Sequence, residues 1–122
     1  MEKIWAVRGA ITITADEPEQ VLSASRELLE EIFKVNRITP EQIVSIIFSV
    51  TPDIHSEFPA VAARTMGLTD TPLFCVQELA KPTALPLCIR ALIHFYTSLP
   101  KQNITAVYLR EAQKLRPDLQ RD

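Results

Sequence analysis

Five stretches of this chain are dense in β-branched and apolar side chains, while only one segment is both long and periodic enough to make a substantial helix, and that imbalance limits the fold. In residues 4–14, alternation puts Trp5, Val7, Gly9, Ile11 and Ile13 on one face, with Ile4, Ala6, Arg8, Ala10 and Thr12 on the other. Asp16 stands where an N-cap belongs, ahead of Glu17, Pro18 and Glu19, which predicts a helix start. Val21, Ala24, Leu28, Ile32 and Val35 then recur at helical spacing to about Asn36. Thr39-Pro40-Glu41 reads as the cap of a short turn of helix, and residues 43–50 as a central strand. Pro59 and Gly67 bracket a second, short helix that contains Arg64. Further strands are predicted at 73–77, 87–97 and 104–112, the last two joined by a turn at 98–103.

The resulting order, β-α-β-α-β-β-β, predicts an α+β fold: a single mixed five-stranded sheet with two helices on one face. Two helices cannot cover both faces. The second apolar face therefore needs another copy of the chain, and a homo-oligomer is expected.

The 122 residues suit one domain, read as residues 1–116 with a tail at 117–122. A net charge of −2 gives no general attraction to nucleic acid or to an acidic membrane, so an anionic ligand has to be caught locally. Cys75 and Cys88 make no disulfide framework, and His55 and His94 lie too far apart for a sequence-local metal motif; a reducing cytoplasm is the expected location. No run has the length of a signal core or a membrane span, and a soluble protein is expected. With Gly9 and Gly67 as the only glycines, no glycine-rich loop exists to wrap a nucleotide phosphate.

Two arginines stand out because they sit inside apolar strands. Arg8 shares its face with Ala6, Ala10 and Thr12, whose small side chains leave open space beside the guanidinium. Arg90 shares its face with Cys88, Leu92 and His94, and a guanidinium there needs an anion or carbonyl partner because it cannot lose its proton. Either arginine alone is equally well explained by an exit at a sheet edge or an internal ion pair. The pair, with Cys75 and Glu78 ending one strand and Tyr108 in another, points to a small-anion site. His94, in an apolar strand, reads as a satisfied core residue, and His55 as a loop residue.

Taken together and in order, Val7-Arg-Gly-Ala10, Thr51-Pro-Asp-Ile-His-Ser-Glu-Phe-Pro-Ala60, Cys75-Val-Gln-Glu78, Cys88-Ile-Arg90, Val107-Tyr-Leu109 and Leu115-Arg-Pro-Asp-Leu119 resemble the AroH-class monofunctional chorismate mutases over nearly the whole chain. The resemblance implies a trimeric pseudo-α/β barrel with active sites at subunit interfaces, and a cofactor-free, metal-free conversion of chorismate to prephenate on the way to phenylalanine and tyrosine. It further implies that Arg90 holds the ether oxygen and a carboxylate, that Arg8 and Tyr108 bind carboxylates, and that Cys75 and Glu78 meet the ring hydroxyl region. Phe58, Ala60 and Arg64 would arrive from the neighbouring subunit, and Leu115 and Arg116 would close the site. Two positions depart from the family pattern: Val61 replaces a lysine, and Phe74, which the resemblance places among the substrate-binding residues through the backbone contacts of its strand, replaces a small polar residue.

The absences agree with that chemistry, since a unimolecular pericyclic shift needs no nucleophile, base or metal, only fixed cations in a dry site. Two other readings stay open on the residues: an enamine/imine deaminase of similar trimeric fold, and a non-catalytic trimer that binds an aromatic-pathway carboxylate.

Overall fold

A computed structural model describes residues 2–115. The first strand, β1 (Lys3–Thr12), leads into the long helix α1 (Pro18–Asn36), then β2 (Ile43–Val50), the short helix α2 (Pro59–Thr65), β3 (Leu73–Gln77), β4 (Cys88–Thr97) and β5 (Val107–Tyr108). Short 3-10 helices occupy Pro40–Gln42, Lys101–Asn103 and Arg110–Leu115. The five strands form one sheet in the order β3-β2-β4-β1-β5, antiparallel across β1–β4 and β2–β4 and parallel at both edges.

The alternation read from β1 holds in three dimensions. Val7, Ile11 and Ile13 are buried with Leu28, Leu29 and Ile32 of α1, and α2 adds Ala60 and Ala63 to the same core. From the central strands that core takes Ile46, Phe48, Ile89, Ala91, Ile93 and Phe95. Both helices thus lie on one face. At Gly9 helix and strand approach so closely that a Cβ would stand 2.7 Å from Ile32 Cδ1. The bare glycine is what lets α1 seat there.

The opposite face carries Ile4, Ala6, Arg8, Ala10 and Thr12 of β1, Arg90, Leu92, His94 and Tyr96 of β4, Ile47 and Ser49 of β2, and Phe74 and Val76 of β3. Among the described residues only its β5 end is covered, where Ala10, Cys88 and Ala112 pack with Leu85, Tyr108 and Leu115. Elsewhere Ile4, Phe74, Val76 and Tyr96 present apolar surface to solvent.

Four local expectations differ from the structure. The N-cap of α1 is Glu17, with no side-chain cap bond, and Pro18 opens the helix. The Asp16 carboxylate is used elsewhere, accepting the backbone N–H groups of His55 and Ser56 at 3.0 and 3.2 Å. Strand β4 begins one residue late because Leu87 takes a left-handed backbone with φ 51°, its N–H donating to Asp53 Oδ2 at 2.9 Å. The expected strand at 104–112 shrinks to Val107–Tyr108. Before it, Thr105 directs both backbone groups at the buried Asn36 side chain instead of a neighbouring strand. After it, Arg110 turns left-handed at φ 57° and anchors its guanidinium on the Thr12 carbonyl and on Glu27. Finally, His94 is half-buried on the uncovered face, and its buried Nδ1 has no hydrogen-bond partner among the described residues, so it is not the satisfied core histidine expected.

Candidate active site

The strand pairing brings the two arginines together. Ala10 lies opposite Arg90 and Arg8 opposite Leu92 across the β1–β4 pair, so both guanidinium groups rise from the uncovered face two residues apart in register. Tyr108 reaches the same place because β5 pairs with β1 at Gly9 and Ala10. Between them lies a cavity of about 170 Å3 whose polar lining is Arg8, Ser49, Arg90 and Tyr108 and whose apolar lining includes Ala10, Ile47 and Leu92. The small residues flanking Arg8 do leave open space beside it.

Glu78 follows β3 directly, and its backbone N–H donates to the Val50 carbonyl at 2.8 Å. Its carboxylate turns back over β2, where Oε2 accepts a hydrogen bond from the Ser49 hydroxyl. Arg90 Nε stands 3.5 Å from the same oxygen. That spacing is an ion pair without a hydrogen bond, and the buried Nε has no hydrogen-bond partner among the described residues. The guanidinium is charge-compensated yet keeps donors to offer. Next to it, burial pushes the Cys88 thiol up to about 11, outweighing the downward pull of the Arg90 charge, so Cys88 is a packing residue.

The other residues singled out from sequence lie apart from this cavity within one chain. Cys75 pairs in register with the buried Phe48 and packs toward the helix-side core. It lines a different space, of about 380 Å3, together with Phe58, Pro59, Ser56 and Val76. Phe58 (64% exposed) and Phe74 (66%) project into solvent, Arg64 is exposed on α2, and Ala60 is buried beneath it. Leu115 packs beside Tyr108, and Arg116 lies outside the described residues. Val61, where the family pattern has lysine, is half-buried on α2. Sequence reasoning missed Ser49 and Ile47, whose place in the site depends on the β2–β4 register.

The cavity is lined by two arginines and a tyrosine, with Glu78 paired to one of the arginines, and the sequence that builds it matches one family over nearly its whole length: the family description "Chorismate mutase type I" fits residues 4–119. The chain belongs to the type I chorismate mutases. It is 44% identical over 118 residues to a chorismate mutase AroH of Thermus thermophilus, covering 96% of this chain and 97% of that one. Identity to the chorismate mutase AroH of Bacillus subtilis is 39% over 117 residues, covering 95% and 92%. A solved chorismate mutase from Clostridium thermocellum superposes with a TM-score of 0.89 at 40% identity, spanning 90% of this chain and 98% of that one. Membership in the chorismate mutase family removes the enamine/imine deaminase reading. Among the described residues, no helix is long and apolar enough to cross a membrane.

Proposed function

We propose that this chorismate mutase converts chorismate to prephenate with Arg8, Arg90, Glu78 and Tyr108, in sites completed by a neighbouring copy of the chain. The observation that carries the assignment of residues is the convergence of these four groups on one open sheet face. Chorismate is a dicarboxylate, and its rearrangement breaks a carbon–oxygen bond as a carbon–carbon bond forms. Arg90 donates to the ether oxygen on which negative charge develops, and to a carboxylate. Arg8 and Tyr108 hold carboxylates, and Glu78 accepts from the ring hydroxyl. The cations act by folding the flexible enolpyruvyl arm over the ring and by being in place before charge appears.

The cavity is open, and the apolar residues around it are bare. A homotrimer, the assembly implied by the family resemblance, would cover Phe74, Val76, Ile4 and Tyr96 and bring Phe58, Ala60, Arg64 and Cys75 of one chain toward the arginines of another. Two free cysteines accord with a reducing cytoplasm as its location. Residues 1–116 would act as one domain, with Leu115 and Arg116 closing the site.

Loss of chorismate absorbance on adding the purified protein tests the activity directly. Arg90→Ala is expected to lower kcat by about 10²–10³-fold, the usual cost of one preorganised donor. Arg90→Lys should fall nearly as far, because lysine lacks the planar fork. Arg8→Ala should act mainly on KM. An Arg90→Ala enzyme with unaltered kcat would overturn the assignment, and a trimer-free sedimentation profile at micromolar concentration would overturn the assembly.

A further inference from the structure

We propose that Ser49 is a positioning residue for the reaction, holding the Glu78 carboxylate off the Arg90 guanidinium so that the guanidinium stays available to the substrate. The inference rests on the active-site reading above. Ser49 sits directly opposite Arg90 in the β2–β4 pair and on the same face. Glu78 arrives over it from β3, fixed at its backbone by Val50. A carboxylate in reach of an arginine fork ordinarily closes to a bidentate pair at about 2.7–2.9 Å, which occupies two of the five guanidinium donors. Here it does not: Oε2 is bound by the Ser49 hydroxyl, and Arg90 Nε stays at 3.5 Å from it.

The hydroxyl thus competes for the oxygen that would otherwise lock Arg90. Among the described residues no hydrogen bond engages Oε1 of Glu78, which leaves that oxygen to a ligand hydroxyl. Without the serine hydroxyl, the carboxylate would rotate onto Arg90, and each turnover would first have to break a two-point ion pair. Because Arg90 serves the ether oxygen in the transition state as well as a substrate carboxylate, the loss should fall mainly on kcat, with a smaller rise in KM.

The test measures kcat, KM and thermal midpoint for Ser49→Ala, Ser49→Cys and Ser49→Thr, alongside Arg90→Ala and Glu78→Gln. Ser49→Ala is expected to lose about 10- to 100-fold in kcat, the scale of one hydrogen bond to a charged group, with a smaller rise in KM and little change in midpoint. Ser49→Cys, which keeps the shape but donates weakly, should show the same loss, and Ser49→Thr should recover most of the activity. In a Glu78→Gln background, Ser49→Ala should add almost nothing, because the serine acts through that carboxylate. Wild-type kcat in both Ser49→Ala and Ser49→Cys, with Arg90→Ala inactive, overturns the role of Ser49 and leaves the active-site reading standing. An unaffected Arg90→Ala enzyme instead overturns that reading, and this inference with it. A full, undiminished loss from Ser49→Ala in the Glu78→Gln background also overturns it.

Discussion

Replacing Gly9 by alanine puts one methyl group at the tightest contact between sheet and helix. Its Cβ would meet Ile32 Cδ1 at 2.7 Å, the Val107 carbonyl oxygen at 3.0 Å and Leu28 Cδ1 at 3.1 Å. Leu28 and Ile32 are both 0% exposed, so neither side chain can swing out to solvent. The third neighbour is backbone of β5, which moves only if the strand moves. Against this, alanine loses less chain entropy on folding and favours the strand by about 0.4–1 kcal/mol. Overpacking a filled core costs about 1–3 kcal/mol, so the clash wins and a net loss of about 0.5–2 kcal/mol is expected. For a chain of this length that is a drop of about 2–8 °C in thermal midpoint. Circular dichroism melts of both proteins at one concentration measure it. Because Val107 and Tyr108 are pushed together, KM for chorismate should also rise. Gly67→Ala is the matched comparison: that residue has φ 97° with nothing within 4 Å, so its cost of about 1 kcal/mol is backbone strain alone and KM should not change. A Gly9→Ala protein as stable as wild type, with unchanged KM, would refute the steric argument.

Two further outcomes follow from titratable groups. The nearby Ser56 hydroxyl, together with hydrogen bonds from the backbone N–H groups of His55 and Ser56, outweighs desolvation and holds Asp16 below its ordinary value of 3.8. A carboxyl depressed in the folded state contributes stability above its unfolded value and loses it as pH falls through the folded one. The stability gap between wild type and Asp16→Asn in urea unfolding should therefore narrow between pH 5 and pH 3; an equal gap at both would contradict the linkage. With its thiol raised to about 11, Cys88 should resist iodoacetamide at pH 8 in the native protein and react after unfolding, as peptide mass spectrometry would show. Rapid native labelling of Cys88 would contradict its burial.

Much of the fold is legible in the chain because its signals are local. The dense β-branched run at Ile43–Val50 and the Pro59 and Gly67 bracket around α2 each act over a few residues. Alternation likewise places Arg8 and Arg90 on definite strand faces. That those faces adjoin depends on β4 lying between β1 and β2, which is a property of the whole sheet. Ser49 is harder still, since its facing partner is set by a register that shifts between Ile43 and Ser45. The shortened β5 is unreadable for a different reason. Val107 and Leu109 pack into the helix-side core while Tyr108 and Ala112 pack on the other side, a split that follows strand alternation. Its end is enforced by a left-handed arginine, where sequence expects glycine. Asp16 shows the same limit, because a carboxylate suited to capping a helix is equally suited to two N–H groups 39 and 40 residues away.

The separation of Arg64 and Phe58 from the arginine cavity within one chain has a genetic meaning. If each site draws Arg90 from one copy and Arg64 from its neighbour, two alleles that are each inactive, Arg90→Ala and Arg64→Ala, are not equivalent losses. Co-assembled at random in a cell, they would leave about a quarter of the sites with both residues intact. Two defective genes would then together support growth that neither supports alone.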